Sequence, residues 1–222
     1  MQKKDCQKRS YNISIMKIGI LAYGSLIDDP GYEIEEKVIE KRSGIRTPFR
    51  VEFARKSSSR DNAPTLVPVS KGGAYVEAVL LVLKKNTTLK YAKDILYRRE
   101  INEVENKDKC YKPDPDNENQ VWIDLIPEIF GMDYVLYTRI KPNIKQCTPE
   151  NLAKLAIESV KGEVGKNKKD GISYLINAKE NGIRTVLSKN YEENILEKTK
   201  SETLKEALKN CIKEKRGEKN KR

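Results

Sequence analysis

Short apolar segments, separated by turn residues and polar stretches, occupy the first two thirds of the chain. The clearest is 17–23, where aliphatic residues lead directly into the turn pair Gly24-Ser25. Segments of this length that are rich in aliphatic and β-branched residues are typical of strands. The pattern predicts strands at 17–23, 44–54, 64–69, 74–83, 121–126 and 132–140.

The last third of the chain has the spacing of helices, and one further helix interrupts the strands. Thr87 or Thr88 is a suitable N-cap for the earlier helix, and Thr148 followed by Pro149 is a start signal for a later one. Strands that precede a mostly helical end indicate an α+β fold. The pattern predicts helices at 89–100, 149–160, 171–180 and 191–216, and polar loops at 55–63 and 102–119.

The formal net charge of +11 is concentrated near the ends of the 222-residue chain. Residues 1–15 have a net charge of +3 and residues 197–222 of +5, which leaves +3 for the stretch between them. Basic ends of this kind are more often solvated tails than binding arms, so nucleic acid is not the favoured partner. We therefore expect a disordered extension at 1–15, with Met16 as an alternative start, one domain at 16–196, and a basic helix and tail at 197–222.

Histidine is absent, and the four cysteines lie far apart without a C-x-x-C pair. This composition excludes Ser-His-Asp and Cys-His nucleophile systems and histidine-based zinc sites. An enzyme would then depend on carboxylate, Lys, Tyr, Cys or Arg chemistry, of which carboxylate is the simplest choice. Scattered cysteines suit a reducing cytoplasm, and no apolar run approaches the roughly 18 residues that a membrane-spanning helix needs. We expect a cytoplasmic protein without a membrane segment.

The segment Ala22-Tyr23-Gly24-Ser25-Leu26 is the first candidate for chemistry. A strand that ends in Tyr-Gly-Ser places consecutive backbone N–H groups at its end, and glycine permits the positive φ that an anion-binding nest requires. The Ser25 hydroxyl would be a further donor. An ordinary exit from a strand into a turn explains the same tripeptide, so both interpretations stay open here.

Glu100 is the second candidate. With 3.6 residues per turn, it falls on the same helix face as Leu89, Ala92 and Leu96. A carboxylate on an apolar face would be partly desolvated, which raises its pKa towards the range of a useful base. The alternative is a helix that frays before Glu100 and leaves the side chain in solvent.

Taken in order, these segments resemble the γ-glutamylcyclotransferase-like superfamily, which includes the AIG2-like and ChaC-type proteins. The resemblance covers about residues 16–140. It rests on four segments in sequence order: Tyr23-Gly24-Ser25-Leu26 after the first strand, Ala63-Pro64-Thr65-Leu66-Val67-Pro68-Val69, the Gly-led strand Gly72-Gly73-Ala74-Tyr75-Val76, and the helix end Leu96-Tyr97-Arg98-Arg99-Glu100.

The resemblance implies a mixed, curved β-sheet or barrel with flanking helices and a helical C-terminus. It implies that Tyr23, Gly24, Ser25 and Leu26 hold the γ-glutamyl part of a substrate through backbone amides, and that Glu100 is the general acid/base. The α-amine would attack the γ-carbonyl and give 5-oxoproline and a free amine. The partner would be a small γ-glutamyl compound or another carboxylate-bearing ligand, and no metal, nucleotide or other cofactor is needed.

Two other functions stay open at this point. The chain could be a non-catalytic binding or interaction module of the same fold, or a nucleic-acid-associated protein that uses its basic ends. The sequence does not choose between glutathione, other γ-glutamyl amino acids, γ-glutamylamines and isopeptides, and it does not indicate an oligomeric state. From strand order we expect 18–23 to be a central strand, with 44–54, 74–83 and 132–140 beside or near it.

Overall fold

The computed structural model of the protein describes residues 16–163 and 169–219, with side chains described as far as residue 215. The predicted extension at 1–15 lies outside the described residues. Within them the chain forms seven strands and six α-helices. In chain order they are β1 (Ile18–Ala22), α1 (Tyr32–Glu35), β2 (Val38–Arg46), β3 (Val51–Ser57), β4 (Ala63–Pro68), β5 (Glu77–Leu83), α2 (Leu89–Glu100), β6 (Trp122–Ile129), β7 (Met132–Arg139), α3 (Pro149–Lys161), α4 (Gly171–Glu180), α5 (Ser188–Thr199) and α6 (Leu204–Lys219).

Five strands form one mixed sheet with β1 in its middle, in the order β2-β5-β1-β7-β6. β1 pairs antiparallel with β5 and parallel with β7. All five residues of β1 are buried, because α2 packs on one face of the sheet and the β3–β4 hairpin and later helices pack on the other. A strand covered on both faces is expected to be a continuous apolar run, as this one is. The predicted α+β class is confirmed.

The predicted barrel is not found, because the described strands do not close on themselves. β2 and β6 are the two edges of the five-stranded sheet, and β3 and β4 form a separate two-stranded sheet. A single bridge between Val51 and Ala74 links this hairpin to the segment before β5. The architecture is therefore an open mixed sheet with an accessory hairpin.

The prediction of one strand at 44–54 is wrong. The chain forms β2 before Thr47 and β3 after Arg50, and these two strands belong to different sheets. Pro48 lacks an N–H donor for a strand ladder, and the Thr47 hydroxyl donates to the carbonyl oxygen of Phe49 at 2.7 Å, which stabilises the turn. The predicted loop at 55–63 is also partly wrong, since β3 continues through Ser57.

Helices α2 and α3 begin where their capping residues predict. The Thr88 hydroxyl accepts a hydrogen bond from the N–H of Tyr91, and the Thr148 hydroxyl accepts one from Asn151. Ala92, Ile95 and Leu96 of α2 are buried against the sheet. These contacts fix the direction in which the end of α2 points.

The predicted single helix at 191–216 is instead two helices, α5 and α6. Lys200 adopts a left-handed conformation with φ +49°, which ends α5, and the Thr203 hydroxyl accepts a hydrogen bond from Glu206 to begin α6. The predicted boundary between 196 and 197 falls within α5.

Helix α6 contacts α3, α4 and α5, and its residues Leu204, Ala207 and Cys211 are buried in the core. No helix among the described residues has both the length and the apolar character needed to cross a bilayer.

Candidate active site

Four of the five residues that the sequence predicts for a site line one cavity of about 160 Å³, and Gly24, the fifth, does not line it. Tyr23, Ser25 and Leu26 reach it from the loop after β1, and Glu100 reaches it from the end of α2. The β3–β4 hairpin and Tyr174 of α4 form further walls. The loop and the glutamate, although distant in sequence, therefore border the same space.

Gly24 gives the loop after β1 a shape that another residue would strain. Its φ is +61°, in the left-handed region that glycine adopts without penalty. A Cβ atom here would also lie 2.6 Å from the hydroxyl oxygen of Tyr174. In the described part of the chain, the backbone N–H groups of Gly24 and Ser25 donate no hydrogen bond. Two adjacent amide donors are therefore unpaired at this loop, as an anion-binding nest requires.

The side chains of the same loop have partners within the protein. The Tyr23 hydroxyl donates to the carbonyl oxygen of Thr138 at 2.6 Å, and burial raises its pKa well above the usual range. The Ser25 hydroxyl accepts a hydrogen bond from Arg99 at 3.3 Å, and Leu26 is buried. These contacts fix the loop to β7 and to α2. They leave its backbone, rather than the tyrosine hydroxyl, to meet a ligand.

Glu100 lies on the helix face that its spacing predicts, and α2 continues to this residue instead of fraying before it. Ala92 and Leu96 on that face are fully buried, whereas the Glu100 side chain keeps 23% of its surface exposed. Burial raises the pKa of the Glu100 carboxyl, and the positive charges of Arg99 and Arg60 partly oppose that rise. The closer contact joins Arg99 Nη1 to Glu100 Oε1 at 3.5 Å.

Three arginines also line the cavity, Arg55, Arg60 and Arg99, and none of them is among the site residues predicted from the sequence. Arg55 and Arg60 fall in the stretch that was expected to be a polar loop. One signal could have identified this wall: Arg55, Ser57 and Ser59 alternate with the period of a strand, and all three line the cavity.

Arg60 and Tyr174 form the wall next to the Gly24 turn. The central carbon of the Arg60 guanidinium lies 4.9 Å from the centroid of the Tyr174 ring, and Arg60 also donates to the carbonyl oxygen of Lys169. The Tyr174 hydroxyl accepts a hydrogen bond from the N–H of Leu66 at 3.4 Å. Burial lowers the pKa of Arg60 and raises that of Tyr174. The Arg60 guanidinium therefore makes a cation–π contact with the neutral ring of Tyr174. No pattern in the sequence indicated that Tyr174 lines the site.

Positive charge exceeds negative charge around the cavity. Glu100 is the single carboxylate among the described lining residues, against the three arginines. A ligand that carries one or two carboxylates would balance this excess. Within residues 16–163 and 169–219, no group of three or more Cys, Asp or Glu side chains is placed to hold a metal ion.

Comparisons with known proteins do not assign a family to the chain. A scan against protein-family models finds no match, and a search of curated proteins finds none either. The geometry of the cavity is therefore the basis for a functional assignment.

Proposed function

We propose that the chain is a γ-glutamylcyclotransferase-like enzyme, which converts a γ-glutamyl compound to 5-oxoproline and a free amine. One observation carries the proposal: Glu100 lines the same cavity as Ser25, and among the described residues the backbone N–H groups of Ser25 and of the adjacent Gly24 have no acceptor. The Glu100 carboxylate supplies a base, and the backbone amides of the loop supply donors for an anion. The surrounding arginines favour a substrate with carboxylate groups.

In the proposed reaction, Glu100 takes a proton from the α-ammonium group of the substrate. The freed nitrogen lone pair attacks the γ-carbonyl carbon, and a five-membered ring forms. The bond between that carbon and the amide nitrogen then breaks, and Glu100 returns its proton to the departing nitrogen. Atoms and charges balance without water or a cofactor, because the nucleophile and the leaving group belong to one molecule.

The environment of Glu100 suits this double role. A general acid/base is most effective when its pKa lies near the working pH, and burial raises the Glu100 pKa in that direction. The positive charge of Arg99, at 3.5 Å, opposes this rise. Arg99 also donates to the carbonyl oxygen of Ser25, so the same side chain links the base to the loop that would hold the substrate.

The same features support membership of the γ-glutamylcyclotransferase-like fold as part of this proposal. The Tyr23–Leu26 loop follows the central strand, and the glutamate ends the helix that packs against that strand. The resemblance implies the position of the loop after the first strand and that of the glutamate at the end of the helix, and the packing of that helix on the sheet is the added observation that supports the proposal. Under this proposal, the open five-stranded sheet and the separate β3–β4 hairpin together correspond to the curved sheet that the resemblance implies.

The test is release of 5-oxoproline from a panel of γ-glutamyl amino acids, γ-glutamylamines and isopeptides. Glu100→Gln keeps the size of the side chain but removes its ability to accept a proton. Turnover should fall about 10²- to 10⁴-fold, the usual contribution of general acid–base catalysis. Glu35→Gln is the matched control, since Glu35 is exposed on α1 and outside the cavity. It should leave turnover unchanged.

Equal rates for the wild type and Glu100→Gln would exclude Glu100 as the base. The contact between Arg99 and Glu100 is also compatible with a module that binds a γ-glutamyl compound without converting it. Calorimetric binding with no 5-oxoproline from any substrate would establish that second function and refute the enzymatic one.

A further inference from the structure

Arg55 lines the cavity and has no acidic partner among the residues that the structure describes. Its guanidinium donates to the carbonyl oxygen of Lys141 at 2.7 Å and to the side-chain oxygen of Asn119 at 3.0 Å, and both acceptors are neutral. Glu118, the neighbour of Asn119, pairs instead with the ammonium group of Lys141 at 2.9 Å. Of the five N–H groups of an arginine, three are therefore left for other acceptors.

The other two cavity arginines belong to the surroundings of Glu100. Arg99 contacts Glu100 directly, and the charge of Arg60 acts on the same carboxyl. Arg55 lies elsewhere on the wall, on β3, where it is held by the segments that follow β7 and precede β6. The cavity thus offers a positive charge at a second position, apart from the base.

The polar and apolar groups around Arg55 would fit the amino-acid part of a substrate. Ser57 and Thr65 of the hairpin line the same cavity, and the Thr65 hydroxyl donates to the carbonyl oxygen of Arg55 at 3.1 Å. Val121 and Ile140 line the cavity near the segments that hold Arg55. An aliphatic portion with a carboxylate beside it would match this combination of surfaces.

We propose that Arg55 binds the carboxylate of the departing amine, so that the substrates are γ-glutamyl amino acids or peptides with a free carboxylate rather than γ-glutamylamines. This inference rests on the proposed function, because it assumes that the glutamyl part lies at Glu100 and the Gly24 turn. It identifies a residue that determines specificity and does not take part in proton transfer.

The test compares three compounds that differ only at the group facing Arg55: γ-glutamylalanine, its C-terminal carboxamide, and γ-glutamylethylamine, which lacks the carboxylate. The wild-type kcat/KM should be about 10- to 100-fold higher for γ-glutamylalanine than for the other two, as a charge-assisted hydrogen bond predicts. Arg55→Met should remove most of this preference and should change the rates little with the two compounds that lack a carboxylate on the departing amine.

Lys56→Met is the matched control, because it removes the same charge from the next residue of β3, which does not line the cavity. It should keep the preference for γ-glutamylalanine. Arg55→Lys keeps the positive charge but lacks the planar pair of guanidinium donors. It should therefore keep part of the preference for γ-glutamylalanine. A melting-temperature measurement on each variant separates loss of the carboxylate contact from loss of folding.

Wild-type rates that are equal for γ-glutamylalanine and its carboxamide would overturn the inference and leave the proposed function intact. If no compound yields 5-oxoproline, the proposed function fails. Calorimetry with the same three compounds then decides about Arg55: tighter binding of γ-glutamylalanine that is lost in Arg55→Met supports its role, and equal binding refutes it.

Discussion

Two adjacent arginines at the end of α2 form ion pairs that differ in burial and in hydrogen bonding. Arg98 donates two hydrogen bonds to the carboxylate of Glu33, at 2.6 and 2.8 Å, and its side chain is only 3% exposed. Arg99 lies 3.5 Å from Glu100 beside the cavity. In the first pair both carboxylate oxygens accept a hydrogen bond from the arginine. In the second pair the contact is longer, and the carboxylate can interact with another molecule.

The pKa shifts of the two glutamates follow this difference. Hydrogen bonds from Arg98 lower the pKa of Glu33 and outweigh the effect of burial, and the backbone N–H of Glu105 contributes in the same direction. At Glu100 burial is the larger effect, so its pKa is raised in spite of Arg99. A carboxylate with well-directed donors is typical of a structural pair, and one that is desolvated without them is a candidate for catalysis.

The largest expected effect on stability comes from breaking the structural pair. Arg98→Met leaves the Glu33 carboxylate buried with only the backbone N–H of Glu105 as a donor, and it also removes the hydrogen bond from Arg98 to the carbonyl oxygen of Lys109. The free energy of unfolding should fall by about 3–5 kcal/mol, the usual result when one partner of a buried pair is removed. Urea denaturation measures this change.

Two further variants test the comparison. Arg99→Met should reduce the free energy of unfolding less, because the carboxylate left behind is in contact with the cavity. Adding Glu33→Gln to Arg98→Met should recover part of the lost stability, since no charge is then buried alone. Equal losses for Arg98→Met and Arg99→Met would contradict the distinction between a structural and a functional arginine.

A smaller effect is expected in the loop that Arg99 holds. Gly24→Ala combines a left-handed φ of +61° with a Cβ that would lie 2.6 Å from the Tyr174 hydroxyl. Its control is Gly44→Ala, where φ is +73° and no atom lies within 4 Å of the added Cβ. The control should lose about 1 kcal/mol from the backbone conformation alone, and Gly24→Ala should lose more, within about 1–3 kcal/mol.

Adding Tyr174→Phe to Gly24→Ala removes the hydroxyl that the new methyl group meets, so part of the difference from Gly44→Ala should disappear. Under the proposed function, Gly24→Ala should also reduce 5-oxoproline release, because the Gly24 and Ser25 amides would be displaced. Identical unfolding free energies for the two alanine variants would show that the contact with Tyr174 is unimportant.

Elements with a local cause could be predicted from the sequence. The apolar run of β1 and the capping threonines of α2 and α3 depend on neighbouring residues alone, and the structure places these elements where the sequence does. Glu100 followed from the same reasoning, because its position on a helix face is fixed by spacing. These are the parts for which periodicity contains the necessary information.

What could not be predicted depends on contacts between distant segments. The split of 44–54 into strands of two sheets is decided by pairing with β4 and β5, and Arg55 reaches the cavity because β3 pairs with β4 there. Tyr174 reaches it because α4 packs beside the Gly24 turn. An arginine in a polar stretch has the same appearance in sequence whether it faces solvent or a cavity.

The smallest expected effect concerns how the stabilities of Glu100→Gln and Glu33→Gln, each relative to the wild type, change with pH. The two changes should have opposite signs. A carboxyl whose pKa is raised on folding is harder to ionise in the folded state, so the stability linked to Glu100 is present at low pH and is lost as the pH rises through its folded pKa. Glu100→Gln removes this loss, and its stability relative to the wild type should therefore increase with pH.

Glu33 should behave in the opposite way, because its pKa is lowered on folding. The stability linked to it is present above the usual pKa of a glutamate and is lost as the pH falls through the folded value, so the deficit of Glu33→Gln should grow as the pH rises. Thermal melts of the wild type and both variants across the acidic to neutral range measure the two differences. Because both substitutions remove one negative charge, general charge effects cancel when the variants are compared. Differences of the same sign would mean that the two glutamates occupy equivalent environments, and the functional assignment of Glu100 would lose its electrostatic support.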